Sequence, residues 1–411
     1  MTSLPDSVQF PIGPGGVTSA PGFRAATLLA GIKPSRKRDD LTLIVSDSPA
    51  TAAGIFTSNR VVAAPVRLCR RHLVGNLAQA ILINAGNANA CTGAQGMADA
   101  ENSALWVGQK LGLDPTRVLI CSTGTIGIPM PMEKIEAHLP RLVAGLTSPA
   151  DEAAAQAIMT TDTVPKHGHV RFTIDGKTVT IGGMAKGAGM IEPHMATLLC
   201  FITSDAQIEP EALQLALKAA ADLTFNRITI DGDQSTNDTV LILANGHAKN
   251  NPLNPRHPEW SIFCNALTAL MKDLALRIVR DGEGATRFVT VTVQGAPTPA
   301  DADKAARAVC RSLLVKTSWF GGDPNWGRIM DAIGYSGAEL DEHAVEICFD
   351  NLVAVRNGRF AEGASLEELA KVYAQPAFSV TIDLHRGPAT TTLYTCDCSE
   401  AYVRINAEYM T

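Results

Sequence analysis

The sequence has no Cys-x-x-Cys pair, no run of Lys and Arg longer than Arg36-Lys37-Arg38, and nothing near the roughly 20 uninterrupted apolar residues of a membrane span. Nine cysteines, an odd number without paired spacing, make neither a disulfide framework nor a zinc site, and they fit a reducing compartment. A net charge of −6 and a pI near 5.9 leave no basic footprint for a polyanion, so nucleic acid is not an expected partner. Met1 to Gly16 carries no basic n-region and no apolar h-region, which sets the expectation of a cytoplasmic protein without membrane association. The common catalytic signatures are missing too: G-x-x-x-x-G-K-[ST], H-E-x-x-H and G-x-S-x-G.

What is present is apolar material. Over 411 residues, 46% are hydrophobic and only 18% charged, enough for a large core and, by length, for two or three lobes. Short apolar strands alternate with helical stretches: Ala80 to Ile83, Ala98 to Leu111, Arg117 to Cys121, then Met132 to Leu146. Val170 to Ile174 and Thr178 to Ile181 read as a hairpin across Asp175-Gly176-Lys177, because Asp-Gly supplies the positive φ of a tight turn. Gly182 to Pro193 reads as too glycine-rich for regular structure. Thr197 to Thr203 is an apolar run that suits a strand buried on both faces. Helices are expected over Glu209 to Leu223 and Trp260 to Val279, the second with Phe263, Leu267, Leu270, Leu274 and Ile278 on one face. Strands follow at Arg287 to Val293, Ala344 to Phe349, Phe378 to Leu384 and Thr390 to Tyr394, and Val403 to Thr411 alternates like a last one. No linker composition marks a domain boundary.

Polar, turn-forming clusters punctuate this apolar background: Asn84 to Asn89, Ser122 to Thr125, Lys186 to Gly189, Asp231 to Asp238, Asp281 to Gly284 and Asp323 to Gly327. Each alone is a turn, since Gly, Asn and Asp tolerate positive φ. Several end an apolar strand, where an α/β scaffold displays its chemistry, so together they suit a shared small-molecule site. His167 and His169 share a strand face but lack a third ligand at metal spacing, and Cys396 and Cys398 read as small apolar strand residues. Thr197 is open to two readings. A β-branched residue favours a strand in any case. A chain that began at Thr197 would also carry its own base, an α-amine titrating near pH 8, beside a hydroxyl that needs one.

Lys186-Gly187-Ala188-Gly189-Met190-Ile191-Glu192-Pro193-His194-Met195-Ala196-Thr197-Leu198-Leu199 resembles the self-processing segment of the ornithine acetyltransferase family, the glutamate N-acetyltransferases of arginine biosynthesis. Gly22 to Ala26, Pro49 to Thr57, Asn84 to Asn89, Ser122 to Gly124, Thr160 to Thr163, Ser235 to Asp238, Asp281 to Thr286 and Phe320 to Arg328 resemble it in the same order, over nearly the whole chain. Three positions depart from the family pattern: Ala188 stands for Ser, His194 for Asn and Gln234 for Thr.

The resemblance implies a four-layer α/β/β/α sandwich, similar to the N-terminal nucleophile hydrolases but wired differently. It implies self-cleavage between Ala196 and Thr197 into residues 1–196 and 197–411, folded together and assembled as α2β2. The reaction implied is acetyl transfer from N2-acetyl-L-ornithine to L-glutamate, with Thr197 as nucleophile and the Thr123 hydroxyl and Gly124 N–H as oxyanion hole. Thr160, Lys186, Glu283, Asn406 and Thr411 would complete the substrate pocket, Lys186 for a carboxylate and Glu283 for a cation. No metal, nicotinamide or acetyl coenzyme A is called for in that reaction, and use of acetyl coenzyme A as a second donor is left open. Two alternatives stand beside this one: a self-cleaving aminopeptidase or amidase of related fold, and an unprocessed small-molecule-binding protein.

Overall fold

The computed structural model describes residues 10–192 and 198–408. Ala196, Thr197 and Thr411 lie outside the described residues, as does His194. The first part of the chain runs β1 (Phe23–Leu28), β2 (Leu41–Phe56), α1 (Ala64–His72), β3 (Leu77–Asn84), α2 (Gly93–Leu111), β4 (Val118–Ser122), α3 (Met132–Ala144) and α4 (Asp151–Ala157). It continues through β5 (Lys166–Ile174), β6 (Lys177–Lys186), β7 (Leu199–Ser204), α5 (Pro210–Leu223), β8 (Thr239–Ala244) and α6 (Trp260–Arg280).

These eight strands hydrogen-bond in the order β4-β3-β2-β8-β7-β6-β5, with β1 also on β2. The sixteen-residue β2 belongs to both halves: Leu41 to Val45 pairs with β3, its register shifts between Val45 and Ala50, and Thr51 to Phe56 pairs with β8. That shift lets one continuous sheet fold over itself. Alternation then sorts the side chains into three stacked cores. Leu82 and Ile120 meet Val107 and Leu139 of α2 and α3. Ile83 and Leu119 point the other way and meet Phe201 and Leu243. Ile202 and Ile242 meet Phe263 and Leu270 of α6. Helices, β1–β4, β5–β8 and helices again are thus the four layers of an α/β/β/α sandwich.

The rest forms β9 (Phe288–Ala296), α7 (Pro299–Arg311), α8 (Leu313–Gly321), α9 (Trp326–Gly334), β10 (Glu346–Phe349), β11 (Leu352–Arg356) and β12 (Arg359–Phe360). It ends with α10 (Leu366–Tyr373), β13 (Ala377–Asp383), β14 (Ala389–Cys396) and α11 (Glu400–Glu408). The six strands make a second sheet, β12-β11-β10-β13-β9-β14, around a core of its own in which Val291 and Val380 meet Val309, Trp319 and Tyr373. Among the described residues no helix is long and apolar enough to cross a membrane.

The hairpin is as expected, with Ile174 opposite Lys177 and positive φ at Asp175 and Gly176. Two expectations are corrected. The glycine-rich start of Gly182 to Pro193 is regular: β6 continues to Lys186, because a Cβ on Gly182 would lie 1.8 Å from the Gly16 carbonyl oxygen, and only glycine lets that backbone so close. Where a last strand is expected over Val403 to Thr411, the described residues Val403 to Glu408 belong instead to the helix α11, in which Val403 is 65% exposed, so the alternation does not separate a buried from a solvated face. Glu400 and Ala401 are strong helix formers, and Tyr402 N–H closes the first turn on the Ser399 carbonyl.

Candidate active site

Parallel pairing of β3 with β4 puts Asn84 opposite Ser122, so the loops leaving both strands emerge side by side. Asn84 donates to Ser122 Oγ (2.7 Å), while its own Oδ1 accepts the Asn87 N–H (3.0 Å). Asn237 ties in the next loop, giving its amide protons to the Ala88 (2.7 Å) and Ser122 (2.9 Å) carbonyls. Lys186, at the end of β6, pairs with Leu199 of β7, which pairs in turn with Thr239 of β8. Four of the six polar clusters, which adjoin β3, β4, β6 and β8, and a fifth, which follows α6, thereby reach one cavity.

Thr123, Gly124, Thr160, Lys186, Glu283 and Asn406 all line it. These are the six expected site residues that fall within the described part of the chain. Asp323 to Gly327 does not line it. There Asn325 caps α9 through Arg328 N–H, so that cluster is a helix start. His167 is turned to the Gly15 carbonyl (2.6 Å), and Cys396 is buried in the core under α6. Asp175, His257 and Glu259 come close enough together to hold a cation, at the far end of β6. They already bond one another, with Glu259 accepting the Asp175 N–H (2.7 Å) and His257 Nε2 lying 3.3 Å from Asp175.

Thr123 gives its N–H to the Asn84 carbonyl (2.9 Å), which leaves its hydroxyl as the free donor. Among the described residues neither that hydroxyl nor the Gly124 N–H has a partner. Gly124 has φ 128°, and a Cβ there would lie 2.5 Å from Gly86 C, so no other residue could place this N–H here.

Charges of both signs border these donors. Lys186 lies 3.9 Å from Asp162, Asp162 lies 2.7 Å from Lys166, and Lys166 lies 2.5 Å from Asp281, with the side chains of all four almost fully buried. Burial would push Asp162 up, but Lys186 and then Lys166 outweigh it and hold the carboxyl well below the usual range. Burial draws the Lys186 ammonium below its ordinary value, and Asp162 opposes that. Asp162 further accepts the Gly187 (2.7 Å) and Thr160 (3.0 Å) N–H groups, so it positions two loops of the pocket. Sequence reasoning gave Asp162 and Lys166 no role. Their signal, two charges in an apolar neighbourhood four residues apart, gains meaning only once both are seen to be buried and paired.

Glu283 gives its N–H to the Ala188 carbonyl (2.8 Å) and accepts Asn406 Nδ2 at 2.7 Å. A Cβ on Gly189 would fall 2.5 Å from the Glu283 carboxyl, so the two loops interlock only with glycine there. Asp231 holds the same segment by accepting from Met190 (2.5 Å) and Ile191 (2.9 Å) N–H, and burial pushes its pKa to about 6. The ordinary value is 3.8, so between about pH 4 and about pH 6 the folded chain keeps a proton that the unfolded chain has lost. The stability contributed by Asp231 is therefore full below that window and lost as pH rises through it. Urea midpoints measured from pH 4 to pH 7 should fall more for the native chain than for Asp231→Asn, and the two should run parallel above pH 6.

Two donors without a partner among the described residues, in one cavity with a buried cation and a buried anion, suit acyl transfer to and from a small amino acid. The ArgJ family profile matches residues 24–411. The chain is 48% identical over 390 residues to the arginine biosynthesis bifunctional protein ArgJ of Geobacter sulfurreducens, covering 95% of this chain and 99% of that one. It is 47% identical over 401 residues to the ArgJ protein of Symbiobacterium thermophilum, covering 97% and 99%. With the ArgJ protein of Geobacillus kaustophilus it shares 44% identity over 413 residues, covering 100% of both chains. The chain belongs to the ArgJ family and is an acetyltransferase of arginine biosynthesis. That membership sets aside the aminopeptidase and binding-protein alternatives.

Proposed function

We propose that acetyl passes from N2-acetyl-L-ornithine to L-glutamate through an ester on Thr197, in a chain that has first cut itself between Ala196 and Thr197. The observation that carries this reading is the pair of donors at Thr123 and Gly124, without a partner among the described residues, in a cavity whose lining residue Asn237 adjoins Asp238, the residue that holds Leu198. In the cut, the Thr197 hydroxyl adds to the Ala196 carbonyl, the C–N bond breaks, and the nitrogen takes the proton. Water then hydrolyses the ester and leaves Thr197 with a free α-amine. That amine takes the hydroxyl proton as Thr197 Oγ attacks the acetyl carbonyl, and it returns the proton to the departing ornithine nitrogen. The α-amine of glutamate attacks the acetyl ester in the reverse sense. Lys186 receives a substrate carboxylate, Glu283 the ornithine side-chain ammonium, and Thr160, Asn406 and Thr411 complete the walls. The cut chains work as α2β2 in the cytoplasm.

Because acetyl rests on the enzyme between half-reactions, double-reciprocal plots for N-acetylornithine and glutamate should be parallel. Intersecting lines would rule the covalent intermediate out. Glu283→Gln separates the two substrates, since only ornithine brings a side-chain cation. A charged hydrogen bond contributes about 1.5–3 kcal/mol, so kcat/KM for N-acetylornithine should drop about 10- to 100-fold. Glutamate, whose side chain is an anion, should lose far less, and an equal loss for both would take the cation role away from Glu283.

A further inference from the structure

The transfer reaction leaves without a task one buried carboxyl that bonds Leu198, the residue after the proposed nucleophile. Asp238 immediately precedes β8, is 1% exposed, and accepts the Leu198 N–H on Oδ1 at 3.0 Å. Its chain neighbour Thr239 gives an N–H to the Leu198 carbonyl, also at 3.0 Å. The residue that follows Thr197 is thus gripped from both sides by consecutive residues. Oδ2 of Asp238 is fully buried and has no hydrogen-bond partner among the described residues.

A carboxylate enclosed in this way, with one oxygen unpartnered among the described residues, is costly, whereas a neutral carboxyl is not. Burial raises its pKa well above the carboxylate range, against the opposing pull of the Leu198 N–H, the Thr57 side chain and the Lys186 cation. Thr57 already gives its hydroxyl proton to the Ser235 carbonyl (2.7 Å), so it has none left to donate to Asp238. Lys186 is the charge that bears on Asp238 from the neighbouring strands. The carboxyl therefore holds an O–H one residue from the peptide bond to be cut.

We infer that Asp238 serves the self-cleavage, its Oδ1 fixing Leu198 while its Oδ2 proton passes to the nitrogen leaving Ala196 and is replaced by the proton of the Thr197 hydroxyl. The Oγ–C bond forms as the C–N bond breaks, one proton arrives at Asp238 for each that departs, and the carboxyl ends as it began. This rests on the cut before Thr197 proposed above.

The test is the rate of cutting of freshly translated 43.4 kDa chain, followed on denaturing gels, for the native sequence, Asp238→Asn and Asp238→Glu. Asn keeps the oxygen that holds Leu198 but cannot shuttle the proton, so the cut should slow by about 10²- to 10⁴-fold, the usual worth of general acid–base catalysis. Glu should restore part of it. If Asp238→Asn cuts at the native rate, Asp238 merely holds Leu198 and the inference fails while the cut itself stands. Should neither variant fold, the native chain still decides: its cutting rate must fall at alkaline pH as Asp238 ionises, and a rate that stays level or climbs there overturns the proton transfer. A native chain that never cuts at Thr197 removes the reading beneath it.

Discussion

Thr197→Ala should yield one uncut 43.4 kDa chain with no acetyl-transfer activity. Two losses come from the same missing atom. Without Oγ nothing adds to the Ala196 carbonyl, so the α-amine is never freed. Without the amine and the hydroxyl together, the pocket holds neither base nor nucleophile. An internal residue at 197 offers only an amide nitrogen, which is no base at neutral pH, whereas a terminal amine titrates near pH 8 and accepts a proton readily. Thr197→Ser keeps a hydroxyl and should both cut and transfer, more slowly. Intact mass and N-terminal sequencing read the cut, and ornithine release in the presence of glutamate reads the transfer. A single uncut chain that still transfers acetyl would end the mechanism.

Much of the sandwich was legible because its strands are short and apolar and end in polar punctuation. β7 and β8 are buried on both faces, and the Asn84, Ser122 and Lys186 clusters lie where apolar strands end as expected, whereas the Asp231 cluster leads into β8 and the Asp281 cluster follows α6. That the residues at Thr123, Lys186, Glu283 and Asn406 share one cavity came from resemblance, since they are spread over 284 positions of the chain and composition cannot bring them together. What stayed hidden depends on contacts distant in sequence. Gly182 and Gly183 look like a loop until Gly16 is seen crossing against the first of them. Lys166 is an ordinary cation until Asp281 meets it 115 residues away. The separate core of the second sheet went unnoticed because its junction, between α6 and β9, is no linker: Thr286 and Arg287 both give their N–H to Asp397. At the C-terminus alternation suggested a strand, and the register of α11 that carries Asn406 to Glu283 cannot be read from alternation.

Thr123→Ala should lower kcat by about 10²- to 10³-fold with little change in KM, the loss typical of one oxyanion donor. The N–H of Thr123 is committed to the Asn84 carbonyl and survives the change, so the loop that β4 leads into keeps its course. Thr123 is partly exposed, and removing its hydroxyl strands no buried partner among the described residues, so folding stability should be nearly untouched. What disappears, on the proposed mechanism, is a hydrogen bond to an oxygen that gains charge only as Thr197 attacks. Substrate binding precedes that charge, which is why the effect falls on kcat. Thr123→Ser should recover most of the rate, because serine restores the donor without the methyl group. Gly124, the other donor, cannot be probed by side-chain replacement, since a Cβ would collide with Gly86 before any chemistry is measured. The Thr123 pair of variants, compared for kcat, KM and thermal midpoint, therefore isolates the oxyanion hole. A raised KM at constant kcat would place Thr123 in ground-state binding instead, and an unfolded alanine variant would make the loop structural.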